Sequence, residues 1–142
     1  MPFQADKEIS LTDFPSSKYI ISSQHRKTGN PNKSIWIISF NDEVECFLQT
    51  LEKNWKQHNE GWGIKVLNDA LQVIGNSVSK DELKIAKFVD GSNTDVWHGY
   101  PADYMRNSQD RPTTEILTVW VNSGYITKSK MSKIRKGFSC NL

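Results

Sequence analysis

Apolar residues along this chain change their spacing from one stretch to the next, and the spacing predicts the elements. Tyr19-Ile20-Ile21 and Ile35-Trp36-Ile37-Ile38 are runs of β-branched and aromatic residues, the types that suit a pleated, half-buried surface. Between them, Lys27-Thr28-Gly29-Asn30-Pro31-Asn32 concentrates turn formers, so the two runs read as a hairpin. The second run is apolar at every position, which predicts cover on both faces. Ser22, Gln24 and Arg26 alternate after the first, the mark of a strand nearer an edge. Residues 1–15 show no period and close on Phe14-Pro15, a pair biased away from helix; they read as an N-terminal arm.

The pattern then becomes helical. Asn41-Asp42 offers an N-cap and early negative charge, and Val44, Phe47, Leu48, Leu51 and Trp55 follow at helical spacing. Gly61-Trp62-Gly63 is the expected stop. Residues 64–74 place Leu67, Ala70, Leu71 and Ile74 on one helical face, and a second helix is expected there, although Val66 and Val73 would also suit a strand. Leu83, Ile85 and Phe88-Val89 alternate with Lys84 and Lys87, a third strand that would join the hairpin. Further on, Asp110 with Pro112 in the first turn starts a helix carrying Ile116, Leu117 and Trp120 and ending at Gly124. Thr127 caps another, with Met131 and Ile134 inward and Gly137 at its end. The expected fold is α+β: one domain over residues 1–142, with a small antiparallel sheet packed by a long helix and closed by a helical hairpin over 112–137. Trp36, Phe47, Trp55 and Trp120 should dominate its core, since each ring removes a large apolar area from water.

Composition narrows the class. A chain of 142 residues can bury a core without staples, and five Trp, six Phe and four Tyr are too many for a disordered one. The apolar runs fall far short of the roughly 18 to 20 residues that span a bilayer, and charge at Asp6, Lys7 and Glu8 interrupts any signal-peptide core. A cytoplasmic protein without membrane association is therefore expected. Cys46 and Cys140 lack the spacing of a metal site and read as free thiols.

Charge is uneven beneath the formal net value of +2. Residues 125–142 hold Lys128, Lys130, Lys133, Arg135 and Lys136 and no acid. Two helices joined by a Gly-containing turn, the second of them basic, have the outline of a helix-turn-helix, and such cations gain by releasing counterions from phosphates. Exposed lysines on a terminal helix also serve solubility alone, and helical hairpins are common packing units. The string Trp97-His98-Gly99-Tyr100-Pro101-Ala102-Asp103 puts imidazole, phenol and carboxylate beside Gly and Pro, which would hold a turn. There His98 is a candidate acid or base, with Asp103 and Tyr100 as catalytic partners, and Trp97 and Tyr100 are candidate ligand-stacking rings. The plainer alternative is that the two rings anchor the loop and His98 makes one structural hydrogen bond. His25 is a possible second member across the sheet; His25 near a hairpin tip and His58 at a helix end also read as ordinary surface residues.

No Gly-rich phosphate loop, Gly-x-Ser-x-Gly or His-Glu-x-x-His occurs. Asp42, Glu43 and Glu45 cluster at a helix start, where the helix dipole accounts for them without a metal. No metal or cofactor is expected. Trp97-His98-Gly99-Tyr100-Pro101, followed by Pro112, Leu117, Trp120, Gly124, Ile126, Lys130, Ile134 and Gly137, resembles the tail of small uncharacterised bacterial proteins. The resemblance covers the last third of the chain; it implies a bacterial source and assigns no catalytic residue. The function expected first is a bacterial accessory or regulatory protein without catalysis, which binds nucleic acid or a protein partner through the basic tail and the aromatic loop. The alternatives are a small nuclease or phosphate-transfer enzyme, in which His98 works with Asp103, Tyr100 or His25, and a protein-binding immunity or adaptor module.

Overall fold

The computed structural model describes residues 3–26 and 32–142. In chain order its elements are β1 (Glu8–Ser10), β2 (Lys18–Ile20), β3 (Ile35–Trp36), α1 (Phe40–Glu52), β4 (Lys56–Gln57), β5 (Glu60–Gly63), β6 (Val66–Leu67) and β7 (Ala70–Leu71). Then come β8 (Gly75–Asn76), β9 (Glu82–Leu83), β10 (Ala86–Val89), β11 (Val96–Pro101), α2 (Thr114–Asn122) and α3 (Lys128–Lys136). Single 3₁₀ turns occur at Ser23–His25 and Ser108–Asp110. Six strands form the main sheet in the order β1-β2-β11-β10-β5-β4. The pairs are antiparallel except β2 with β11, which are parallel. The architecture is α+β as expected, but the sheet is mixed rather than antiparallel.

The expected hairpin is not formed. β2 pairs with β1 and β11, whereas β3 pairs with β8 in a separate three-stranded sheet. The arm is not a free arm either, because β1 lies in the main sheet with Ile9 buried opposite Tyr19. Most of the turn cluster, residues 27–31, falls outside the described residues. The run at 83–89 is broken into β9 and β10, and only β10 enters the main sheet, between β5 and β11. Residues 64–74 are a two-stranded hairpin rather than a helix, since Asn68 and Asp69 take φ of 53° and 64°. Two left-handed residues make the tight turn whose twist suits adjoining strands, and Asn and Asp tolerate it best after Gly.

Helix α1 both starts and stops earlier than its sequence pattern suggests. Ser39, not Asn41 or Asp42, is its cap, with the hydroxyl accepting from the Asp42 amide at 3.1 Å. Asn54, at φ 55°, turns the chain back into β4 beyond Glu52, so Trp55 is buried outside the helix. Gly61 and Gly63, expected to end the helix, lie in β5 beneath it. A Cβ on Gly63 would come within 2.4 Å of the Thr50 hydroxyl, so the bare backbone sets how closely helix and sheet approach.

The C-terminal pair follows expectation. α2 and α3 are in contact, Thr127 caps α3 by accepting from the Lys130 amide at 3.2 Å, and Gly137 ends it at φ 74°. One apolar cluster joins α1 to the sheet through Tyr19, Trp36, Phe47, Phe88 and Trp97; another gathers Trp55, Trp62, Trp120, Leu117 and Ile134. No helix among the described residues is long and apolar enough to cross a membrane.

Candidate functional site

The Trp97–Asp103 string is not a turn. Its first five residues lie in β11, paired on both sides, and burial alternates along the strand. Side chains alternate across a strand, so Trp97 and Gly99 share one face and His98 and Tyr100 the other. Trp97 is buried against Phe47 at 5.7 Å between ring centroids and donates its indole N–H to Asp95 at 2.8 Å. It is a core ring on the far side of the sheet from His98. Gly99 is required there, because a Cβ would come within 2.3 Å of the Phe88 ring.

The His98 face is roofed by residues 102–111. Asp110, expected as a helix cap, points inward while Thr113 caps α2. Its carboxylate accepts from the Tyr100 hydroxyl at 2.9 Å and from the Asp103 amide at 2.9 Å, and its carbonyl accepts from Trp62 Nε1 at 3.0 Å. Lys87, opposite Tyr100 in the sheet register, is buried, forms an ion pair with Glu60 at 3.2 Å and donates to the Gln109 carbonyl. These bonds hold the roof to the strands. Burial, with Asp110 alongside, pushes the Tyr100 phenol well above its usual range, so it remains a donor.

Between this face and the Ser23–His25 turn lies a cavity of about 320 Å³, lined by His25, His98, Tyr100, Asp103 and Asp110, with Lys33 at its edge. The His25 ring stacks on Tyr100 at 5.1 Å and 18°. His25 Nδ1–H donates to the Ser34 carbonyl at 2.9 Å, which leaves Nε2 as the basic nitrogen of the neutral ring. Ser34 is itself anchored, its hydroxyl donating to the Pro101 carbonyl at 2.7 Å. Burial lowers the pKa of both imidazoles from 6.5, and Lys33 lowers them further, with His98 adding to this at His25; the bond to the Ser34 carbonyl and then Asp110 oppose it at His25, and Asp90 opposes it at His98. Both rings are therefore neutral at pH 7.

The structure brings together four of the residues marked in the sequence, His98, Tyr100, Asp103 and, from across the sheet, His25. Asp103 is held by Arg106 at 3.1 Å and leaves Oδ1 buried without a hydrogen-bond partner. Lys33, Ser34 and Asp110 are lining residues that sequence reasoning missed, and nothing in their spacing marks them. Lys128, Lys130, Lys133, Arg135 and Lys136 lie on α3 and line no part of this cavity. Apart from half-buried Lys130 they are exposed, and none forms an ion pair among the described residues. His58, in the β4–β5 turn with φ 53°, is also remote from the cavity lining. Comparisons with protein-family models, with curated proteins and with solved structures find no match to this chain, so its function has to be read from the site itself.

Proposed function

We propose that the cavity is an acid–base site of a small phosphodiester-cleaving or phosphate-transfer enzyme acting on nucleic acid. The observation that carries this reading is the meeting of two neutral imidazoles and an ammonium group in one polar cavity. In the proposed step, His25 Nε2 takes the proton of the attacking hydroxyl as its oxygen bonds to phosphorus. The bond to the leaving oxygen breaks, and protonated His98 supplies the proton that oxygen needs. Lys33 sits where it can hold the phosphate. A bound phosphate also raises the pKa of His98, which charges the acid only when substrate is present. Tyr100, fixed by its bond to Asp110, holds the His25 ring flat against its own rather than exchanging protons.

Cleavage of labelled RNA and DNA oligonucleotides by the full chain tests this reading. His25→Ala and His98→Ala should each slow cleavage by about 10²–10⁴-fold, the usual contribution of one proton-transfer group. Wild-type rates in both variants, or no cleavage by the wild type, would remove the reading.

The cations of α3, which form no ion pair among the described residues, favour a second reading, a nucleic-acid-binding accessory protein. Under it, a Lys130→Ala, Lys133→Ala, Arg135→Ala variant weakens binding and flattens its salt dependence, while His98→Ala leaves binding intact. Binding insensitive to salt would exclude it.

A further inference from the structure

His25 lies on a short turn whose first amide, that of Ser23, donates to the Asp6 carboxylate at 3.1 Å, and the segment on either side of the imidazole is held by one further side chain. Glu43 points from the first turns of α1 into the interior and is fully buried. Its Oε2 accepts from the Tyr19 hydroxyl at 2.5 Å, and its Oε1 accepts from Arg26 Nη2. Tyr19 is in β2 and Arg26 directly follows His25, so one carboxylate grips the segment on either side of the imidazole. Arg26 is held further by donating Nη1–H to the Ile38 carbonyl and by lying over the Phe40 ring at 4.6 Å.

Stability alone does not account for this arrangement. Two charges are taken out of water, and Arg26 Nε is buried without a hydrogen-bond partner. Buried ion pairs of this kind are often replaced by apolar residues at no loss of stability, and in some proteins they are retained for the geometry they specify. Burial also pushes the Glu43 carboxyl up to about 7, against the pull of Tyr19 and Arg26 towards the charged form.

We infer that Glu43 is the positioning residue of the site, closing the segment from Tyr19 to Arg26 so that His25 meets Ser34 and Tyr100 in one orientation; the catalytic part of this inference rests on the acid–base reading above. Glu43 touches no cavity-lining residue among its hydrogen-bond partners and acts through Arg26. The groups facing His25 are Ser34, Tyr100, Lys33, His98 and Asp110, and none of these is altered by changing Glu43.

The test uses full-length Glu43→Gln and Tyr19→Phe. Long-range ¹H–¹⁵N spectra read the tautomer and titration of each imidazole, and steady-state cleavage is measured alongside. In Glu43→Gln, His25 should lose its single tautomer while His98 titrates as in the wild type. With RNA or DNA, kcat should fall by roughly tenfold or more for a displaced base, with KM little changed. Tyr19→Phe, which removes one of the two grips, should move the same signals by less. A folded Glu43→Gln protein with wild-type His25 signals would overturn the inference, as would failure of both variants to fold, which would assign the carboxylate to the fold alone. If the wild type cleaves no phosphodiester, the acid–base reading fails and the His25 signals still decide whether Glu43 positions that ring.

Discussion

The two faces of β11 belong to the same six residues and have opposite jobs. One face, with Trp97, Gly99 and Pro101, meets the aromatic cluster beneath α1, where Phe47 and Phe88 lie 5.2 Å apart and Gly99 leaves just enough room for Phe88. The other, with His98 and Tyr100, faces polar groups: Asp110, which accepts from Tyr100, the neighbouring Lys87, and Ser34 across the cavity. Close packing punishes any change of volume on the first face. On the second, each substitution is felt through the partner it orphans or the proton it removes. A single strand can thus carry a core and a site because its side chains alternate.

That contrast can be broken or sharpened by substitution, and the expected losses of stability are ordered. Phe47→Ala should cost about 3–5 kcal/mol in denaturant unfolding, since it empties the centre of the α1 cluster. Asp110→Ala, on the site face, should cost about 1–3 kcal/mol for each donor it strands, here the Tyr100 hydroxyl and the Asp103 amide. Gly99→Ala should cost about 1–3 kcal/mol, as its new methyl group meets Phe88. His98→Ala should stay within about 0.5 kcal/mol of the wild type, despite the loss of cleavage proposed for it, because half-buried His98 lines an open cavity. Were His98→Ala as damaging as Phe47→Ala, the division between the faces would be wrong.

The pH dependence offers a smaller and signed test. Both cavity histidines have folded pKa values below 6.5. As pH falls below 6.5 the unfolded chain takes up protons that the folded site resists, so their contribution to stability is lost on acidification. Glu43, raised to about 7, has the opposite sign: its contribution is present below 4.5 and lost as pH rises through 7. Urea titrations from pH 4.5 to 8 should therefore show a smaller loss of stability on acidification for a His25→Ala, His98→Ala double variant than for the wild type. Glu43→Gln should show the reverse change. For catalysis, the kcat/KM profile should be bell-shaped with its maximum below pH 6.5, since it reports both imidazoles of the free protein.

Local signals account for what was legible. Thr127 and Gly137 bracket α3 in the sequence as they do in the structure, because a cap and a left-handed stop act within a few residues. The aromatic core was legible from composition: Trp36, Phe47, Trp55 and Trp120 are all buried. The 64–74 segment was not, because its apolar spacing fits either period and the decision falls to Asn68-Asp69, two residues able to turn left-handed. The predicted β2–β3 hairpin failed for a related reason. Strand pairing is chosen by which partners bury Tyr19 and Ile9 together, and neighbourhood in sequence has no vote in that.

The sequence by itself determined the α+β content, the C-terminal helix pair with its exposed basic face, and the presence of a histidine, tyrosine and carboxylate within one short string. Only the tertiary structure decided that this string is a strand and that Trp97 turns away from its neighbours. It also decided that His25, on the turn that follows β2, stacks on Tyr100 of β11, the strand β2 pairs with in parallel. The reason is the range of the forces: caps and periodicity act over a few residues, whereas the cavity is assembled by contacts such as Ser34 to Pro101, 67 residues apart, that form only when the whole sheet closes.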